Sequence, residues 1–190
     1  MSGTQDRILD SAMGLLQSRG YSAISYQDIS DEVGIRKASI HYYFPSKGDL
    51  AKAVVHRYRA EVQDVIKQSE VSRGADYWGL LDDYFHAYLI FEEEPHKICL
   101  CGSLAGEYPV LPEAVQGEVD GFFADQLAWI LSIMKKLQEA SLVNPEVDAR
   151  VLSGWVLSSM QGSLMIGRAT GEMQRVLDAK NLLISSLKAF

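Results

Sequence analysis

Apolar residues recur along this chain at spacings of three and four, the period of a helix with one buried face. Ile8, Leu9, Ala12, Leu15 and Leu16 form the first such stripe, and Gly20 supplies a helix stop. Ser25 followed by Asp28 is an S-x-x-D variant of the capping box, and Ile29 and Val33 give the short helix behind it an apolar face that Gly34 ends. A third helix is predicted over Arg36 to Phe44, closed by Pro45, because proline cannot continue the helix ladder. Ser46 caps a fourth, with Asp49 in its first turn, that runs to about Gln68, and a break is expected over residues 69–74.

The pattern continues to the end. Leu81, Tyr84, Phe85, Tyr88 and Leu89 mark a helix ending near Glu94 and Pro95, and a shorter helix is expected from His96 to Gly106. Residues 108–112, with prolines at 109 and 112, read as a loop. Phe122, Phe123, Leu127, Ile130, Leu131, Met134 and Leu137 make one long stripe, and Asn144-Pro145 is a turn with proline placed to start the next helix. Val151, Leu152, Trp155, Val156 and Met160 carry that helix, Gly171 breaks it, and Val176, Leu177, Leu183, Ile184 and Leu187 carry the last. Strand signals are weak throughout. The expected fold class is all-α, with about nine helices and no internal repeat.

Composition adds only bounds: 190 residues, 47% hydrophobic and 23% charged, are ordinary for a globular chain able to bury a core without staples. Charge changes the picture more. The net charge of −7, taken whole, argues against a nucleic-acid partner. Divided, it reads −3 over residues 1–35, +5 over residues 36–59 and −9 over residues 60–190. A local basic cluster is the electrostatic footprint of phosphate binding, although a solvated helix face produces the same arithmetic. No segment is long and apolar enough to span a membrane, and the polar start lacks the apolar stretch of a signal peptide, so a cytoplasmic setting with reduced thiols is expected.

The basic segment overlaps the third helix. Two short helices joined at Gly34 and Ile35 form a helix-turn-helix candidate, whose second helix enters the major groove. That helix offers cations at Arg36 and Lys37 and short or planar polar groups at Ser39, His41, Tyr42 and Tyr43. Ala38 permits close approach, and Ile40 and Phe44 are expected to face the core. Ordinary three-helix packing without a ligand is the competing reading.

Residues 5–50 resemble the amino-terminal domain of the TetR/AcrR family of transcriptional regulators. The resemblance rests on Ile8-Leu9-Asp10-Ser11-Ala12, Gly20-Tyr21, Asp28-Ile29, Val33-Gly34-Ile35 and, most densely, on Ser39-Ile40-His41-Tyr42-Tyr43-Phe44-Pro45-Ser46-Lys47-Gly48-Asp49-Leu50. It implies a helix-turn-helix domain over 1–50 and a helical ligand-binding and dimerisation domain over 51–190. It further implies a homodimer that binds palindromic operator DNA and releases it when a small-molecule inducer enters the larger domain. By position, Lys37, Ser39, His41, Tyr42 and Tyr43 would face DNA and Lys47 a phosphate, while Ser25, Tyr26 and Gln27 lie where they would also meet phosphates. Arg36 stands where the family often has serine or threonine, which weakens the helix cap and leaves Arg36 either a phosphate contact or a bystander. The last two helices, about Val147–Arg168 and Glu172–Leu187, would form the dimer, with Gly154, Ser158 and Gly162 allowing close approach.

The larger domain is rich in aromatics. Trp78, Tyr84, Phe85, Tyr88, Phe122 and Phe123 are candidate pocket walls, with plain core as the alternative. Cys99 and Cys101 lie in a segment similar to a cysteine-glycine-leucine-glutamate pattern in TetR/AcrR branches that include sensors of electrophiles or oxidants. A reactive Cys99 and an inert buried one are both open readings. His96, Cys99, Cys101 and an acidic residue at a metal is a further alternative, but their spacing matches no familiar zinc pattern, so neither metal nor cofactor is expected. A small all-α enzyme and a helix-turn-helix protein-interaction module are the competing function classes. The former lacks any nucleophile, phosphate-loop or metalloprotease motif, and the latter does not require the basic segment.

Overall fold

The computed structural model describes residues 3–94 and 96–189. Met1 and Ser2 of the polar start, and Pro95 of the expected helix stop, lie outside the described residues. Those described form nine α-helices and no strand: α1 (Thr4–Arg19), α2 (Tyr26–Val33), α3 (Lys37–Tyr43), α4 (Lys47–Arg73), α5 (Tyr77–Leu89), α6 (Leu100–Ala105), α7 (Glu113–Glu139), α8 (Ala149–Thr170) and α9 (Gln174–Ala189). Short 3-10 turns occupy Ile90–Glu92 and Tyr108–Val110. The all-α expectation holds.

The helix starts follow local chemistry. At α2 the Ser25 backbone N–H and hydroxyl both donate to Asp28 Oδ2, at 2.8 and 2.6 Å. At α4 the same device recurs: Ser46 N–H donates to Asp49 Oδ2 at 3.0 Å and Asp49 N–H to Ser46 Oγ at 3.1 Å. α8 is capped by Asp148, which accepts from Arg150 N–H at 2.8 Å, whereas Pro145 lies in the preceding turn.

Two boundaries and one buried position differ from expectation. α4 runs through the expected break to Arg73, because Ser69 and Arg73 donate to the Asp83 carboxylate of α5 and so gain tertiary partners that outweigh weak helix propensity. α6 is shorter than the expected 96–106 helix, since its first turn starts only after Cys99. On α7 the buried positions are Val115, Val119, Phe122, Gln126, Ile130, Ile133, Met134 and Leu137, while Leu127, expected in the stripe, is 37% exposed.

The chain divides into two compact units, Met1–Val62 with Cys99–Phe122, and Gln63–Ile98 with Phe123–Phe190. In the first, Ile8, Ala12 and Leu16 of α1 pack with Ile29, Ile40, Leu50 and Val54. α6 lies on α1, with Leu100 and Leu104 fully buried and Ser103 Oγ donating to Leu16 O at 2.9 Å. The second unit pairs α8 with α9 and buries Leu80, Leu81, Phe85, Ile130, Ile133, Val156, Met160, Leu164 and Val176. Each such large side chain withdrawn from water contributes about 1.5–3 kcal/mol.

Candidate nucleic-acid interface

The geometry of α2 and α3 is fixed from beneath and within the turn. Gly34 adopts φ +72°, a left-handed conformation that costs glycine nothing, and its N–H reaches Ser30 O at 3.0 Å. Ile35 N–H also donates to Ser30 O at 3.2 Å, and Ser30 Oγ returns a bond to Ile35 O at 2.6 Å. Ile29, Val33, Ile40 and Phe44 are buried below the turn. Tyr26 ties the start of α2 to the end of α3: its hydroxyl donates to Phe44 O at 2.7 Å and its ring meets His41 edge-on at 4.6 Å. Burial, then the nearby Asp49 carboxylate and Tyr21, push its hydroxyl pKa up to about 12, so it stays a donor at all ordinary pH.

With one face of α3 held down, the other is open. Arg36, Lys37, Ala38, His41, Tyr42 and Tyr43 are exposed and Ser39 is half-buried, with Tyr42 82% exposed. Tyr42 meets only the neighbouring Tyr43 ring edge-on at 5.2 Å, so it adds little to the core and is an apt groove contact. An open concavity of about 570 Å³ is lined by Thr4, Ile35, Arg36, Ser39, Tyr42 and Tyr43. Ser25 and Gln27 are exposed at the start of α2, where Gln27 Nε2 donates to Asp31 at 2.6 Å. Arg36 occupies the N-cap position of α3 without a side-chain cap.

The six cations of residues 36–59 separate into two groups. Arg57 bonds Asp10 at 2.6 Å, and Arg59 lies 3.8 Å from Glu118. Lys47 turns inward: Nζ donates to Ile24 O at 2.8 Å and sits 4.4 Å from the centre of the Tyr21 ring. Burial lowers the Lys47 pKa, against the pull of Glu107 and Asp28. Arg36, Lys37 and Lys52 have no carboxylate partner among the described residues. The unneutralised cations beside the exposed tyrosines are therefore Arg36 and Lys37, whereas the expected phosphate ligand Lys47 has its ammonium engaged by the protein's own carbonyls.

One residue here escaped the sequence. Glu107 accepts from Tyr21 N–H at 2.6 Å and Ser22 N–H at 2.9 Å, and so clasps the turn between α1 and α2. Burial raises its pKa, but the bonds from Ser22 and Tyr21 together with Lys47 outweigh this and hold the carboxyl below its usual range. No local pattern signals a contact across 86 residues.

The expected sensing residues do not form one cluster. Tyr84, Phe85 and Tyr88 are buried together in the second unit, where Trp129 packs on Tyr84 with ring centres 5.2 Å apart. Phe122 belongs to the first unit and packs on Tyr58 at 5.5 Å, and the neighbouring Phe123 is half-buried. Trp78 is half-buried, with the Lys188 ammonium 5.0 Å from the centre of its ring. Both thiols are buried: Cys99 accepts from the Tyr58 hydroxyl at 3.7 Å, and burial followed by the neighbouring Cys99 pushes the Cys101 thiol well up. Among the described residues no group of three or more His, Cys, Asp or Glu side chains is gathered to hold a metal.

A short helix locked from below, a tight glycine turn and an exposed basic, aromatic second helix define a helix-turn-helix DNA-binding protein. The family profile described as "Bacterial regulatory proteins, tetR family" matches residues 8–54. A TetR-family transcriptional regulator from Agrobacterium tumefaciens is 30% identical and superposes with a TM-score of 0.92 over 97% of each chain. The chain belongs to the TetR family of transcriptional regulators, and it is a DNA-binding regulator rather than an enzyme. It is also 25% identical to an uncharacterised helix-turn-helix transcriptional regulator of Lactococcus lactis over 99% of this chain and 95% of that one. With the negative transcriptional regulator IcaR of the biofilm operon icaADBC in Staphylococcus epidermidis it shares 28% identity over 60% of this chain and 58% of that one. No helix among the described residues is long and apolar enough to cross a membrane.

Proposed function

We propose that this protein is a repressor that holds a palindromic operator as a homodimer and releases it when a small molecule enters its second unit. The observation that carries the reading is the outer face of α3, where unneutralised Arg36 and Lys37 flank the exposed Tyr42. Ser39, His41, Tyr42 and Tyr43 meet base edges and sugars, Arg36 and Lys37 meet phosphates, and Ser25 and Gln27 meet the backbone beside them. Tyr26 and Lys47 hold the reading helix in place rather than touching DNA. Repression is supported by the similarity to a negative regulator. Dimerisation is supported by apolar side chains left exposed on α8 and α9, namely Val151, Trp155, Met165, Ile166 and Leu182. Gly154 and Gly162 have open space where a side chain would stand, which leaves room for a partner helix. Two recognition helices about 34–36 Å apart would then read successive major grooves.

The test is operator affinity across a salt series, on DNA selected by genome-wide binding. Lys37→Ala is expected to weaken binding uniformly over sequences and to reduce the salt slope by about one. Tyr42→Ala is expected to change sequence preference or affinity at a fixed slope. A Lys37→Ala protein with the parent's slope would remove the phosphate assignment.

A further inference from the structure

The outermost line of α3 is set by its buried side. Ile40 and Phe44 point into the core. At roughly 100° per residue the direction opposite to them falls at Tyr42, with Ala38 one turn earlier beside it. Both residues are exposed. Ala38 is the second residue of α3, and residues at the start of a recognition helix are the ones that reach base edges. The side chain at this forward position is a methyl group alone, with neither donor nor acceptor.

The surface around that methyl is concave. Ala38 and Tyr42 line the same open concavity of about 570 Å³, together with Ile35 and Ser39. Side chains at i and i+4 of a helix stand about 5–6 Å apart at Cβ, and long ones lean toward the helix N-terminus, which carries the Tyr42 ring toward the turn of Ala38. Tyr43 braces that ring edge-on at 5.2 Å. Ile35 is half-buried and fixed from within the turn, where Ser30 Oγ donates to its carbonyl at 2.6 Å. Arg36 lines the concavity and Lys37 follows it, so the surroundings suit a polyanion rather than an apolar protein segment.

We propose that this concavity is a methyl-reading site, and that each operator half-site presents to it one thymine whose C5 methyl seats between the Ala38 methyl and the Tyr42 ring. The donors and acceptors that base pairs display in the major groove need polar partners, and the thymine methyl is the apolar feature among them. A position that offers only carbon selects that feature. The Ser39 hydroxyl, on the wall of the same concavity, is of the type that bonds the thymine O4 or the amino group of the paired adenine. The inference rests on the reading of α3 as the helix that enters the major groove, and adds the base that is read and the two side chains that select it.

The experiment measures affinity of the full-length protein by fluorescence anisotropy, on a labelled operator duplex taken from genome-wide binding. Its thymines are replaced one at a time by deoxyuridine, which deletes the C5 methyl and keeps every hydrogen-bonding group. In the parent, one thymine per half-site is expected to lose about fourfold in affinity, and about fifteenfold when both half-sites are changed, as one buried methyl at each implies. Where that T·A pair is changed to C·G, 5-methylcytosine is expected to bind about fourfold tighter than cytosine. Ala38→Gly and Tyr42→Ala are each expected to erase the preference for thymine over deoxyuridine at the parent's salt slope, since a carbon contact displaces no counterion. Ala38→Ser, which sets a hydroxyl against the methyl, serves the same end if the glycine variant melts early. An operator bound tightly with no thymine sensitive to loss of its methyl overturns the inference and leaves the DNA-binding reading standing. So does a preference that persists undiminished in the Ala38 and Tyr42 variants. A parent that selects no duplex removes the reading of α3 and the inference with it.

Discussion

Lys47 and Tyr26, both expected DNA contacts, spend their polar ends on backbone carbonyls of the protein itself. The Lys47 ammonium lies against the Ile24 carbonyl and the Tyr21 ring, half-buried at the turn. Lys47→Ala is therefore expected to lower the melting temperature while leaving the salt slope of operator binding near the parent's, in contrast to Lys37→Ala. Tyr26→Phe keeps the ring and removes the bond to Phe44 O, which is expected to cost about 1 kcal/mol in urea unfolding. Gly20 is more constrained: it adopts φ +80°, and a Cβ there would collide with the Glu107 carboxylate. Gly20→Ala is expected to destabilise by roughly 1–3 kcal/mol, read as a shift in the denaturation midpoint. The sequence disclosed Ser25, Asp28 and Gly34 because caps and turns are local. It concealed the inward turn of Lys47, because a cation's partner is chosen by the fold.

At the scale of elements, the clearest lesson is the far end of α4. Ser69 and Ser72 signal a break by propensity, yet the helix continues because Ser69 and Arg73 grip Asp83 of α5, with Arg73 Nη2 at 2.6 Å. Those bonds, Arg73 first and then Ser69, draw the Asp83 pKa from 3.8 down to about 2. A depressed carboxyl contributes stability above its unfolded pKa and loses it as pH falls through the folded value. Thermal melts are thus expected to fall between about pH 4 and 2 in the parent, and Asp83→Asn should flatten that limb. α7 teaches the converse. Its stripe was legible at Phe122, Ile130, Met134 and Leu137 but not at one turn, where Leu127 looks like the buried position and Gln126 like the exposed one and the fold reverses them. Hydropathy assigns a polar residue to solvent, and burial such as that of Gln126 is set by tertiary packing, which no local pattern records.

At the scale of the molecule, the all-α class and the reading head were legible because both depend on short-range periodicity and turn chemistry. Subdividing the net charge located the basic segment, and the ion pairs then narrowed it to Arg36, Lys37 and Lys52. What no local rule disclosed is that the first unit closes only with residues 99–122. Leu100 and Leu104 join its core, Ser103 holds Leu16 O, and Glu107 holds the turn at Tyr21 and Ser22. The head that reads DNA is consequently not a cassette. A single crossover near residue 50 or 62, as recombination between relatives or a simple gene fusion would make, leaves α1 facing a foreign α6. A hybrid regulator with the specificity of one parent and the inducer of another therefore needs two exchanged stretches, and drift in either stretch constrains the other.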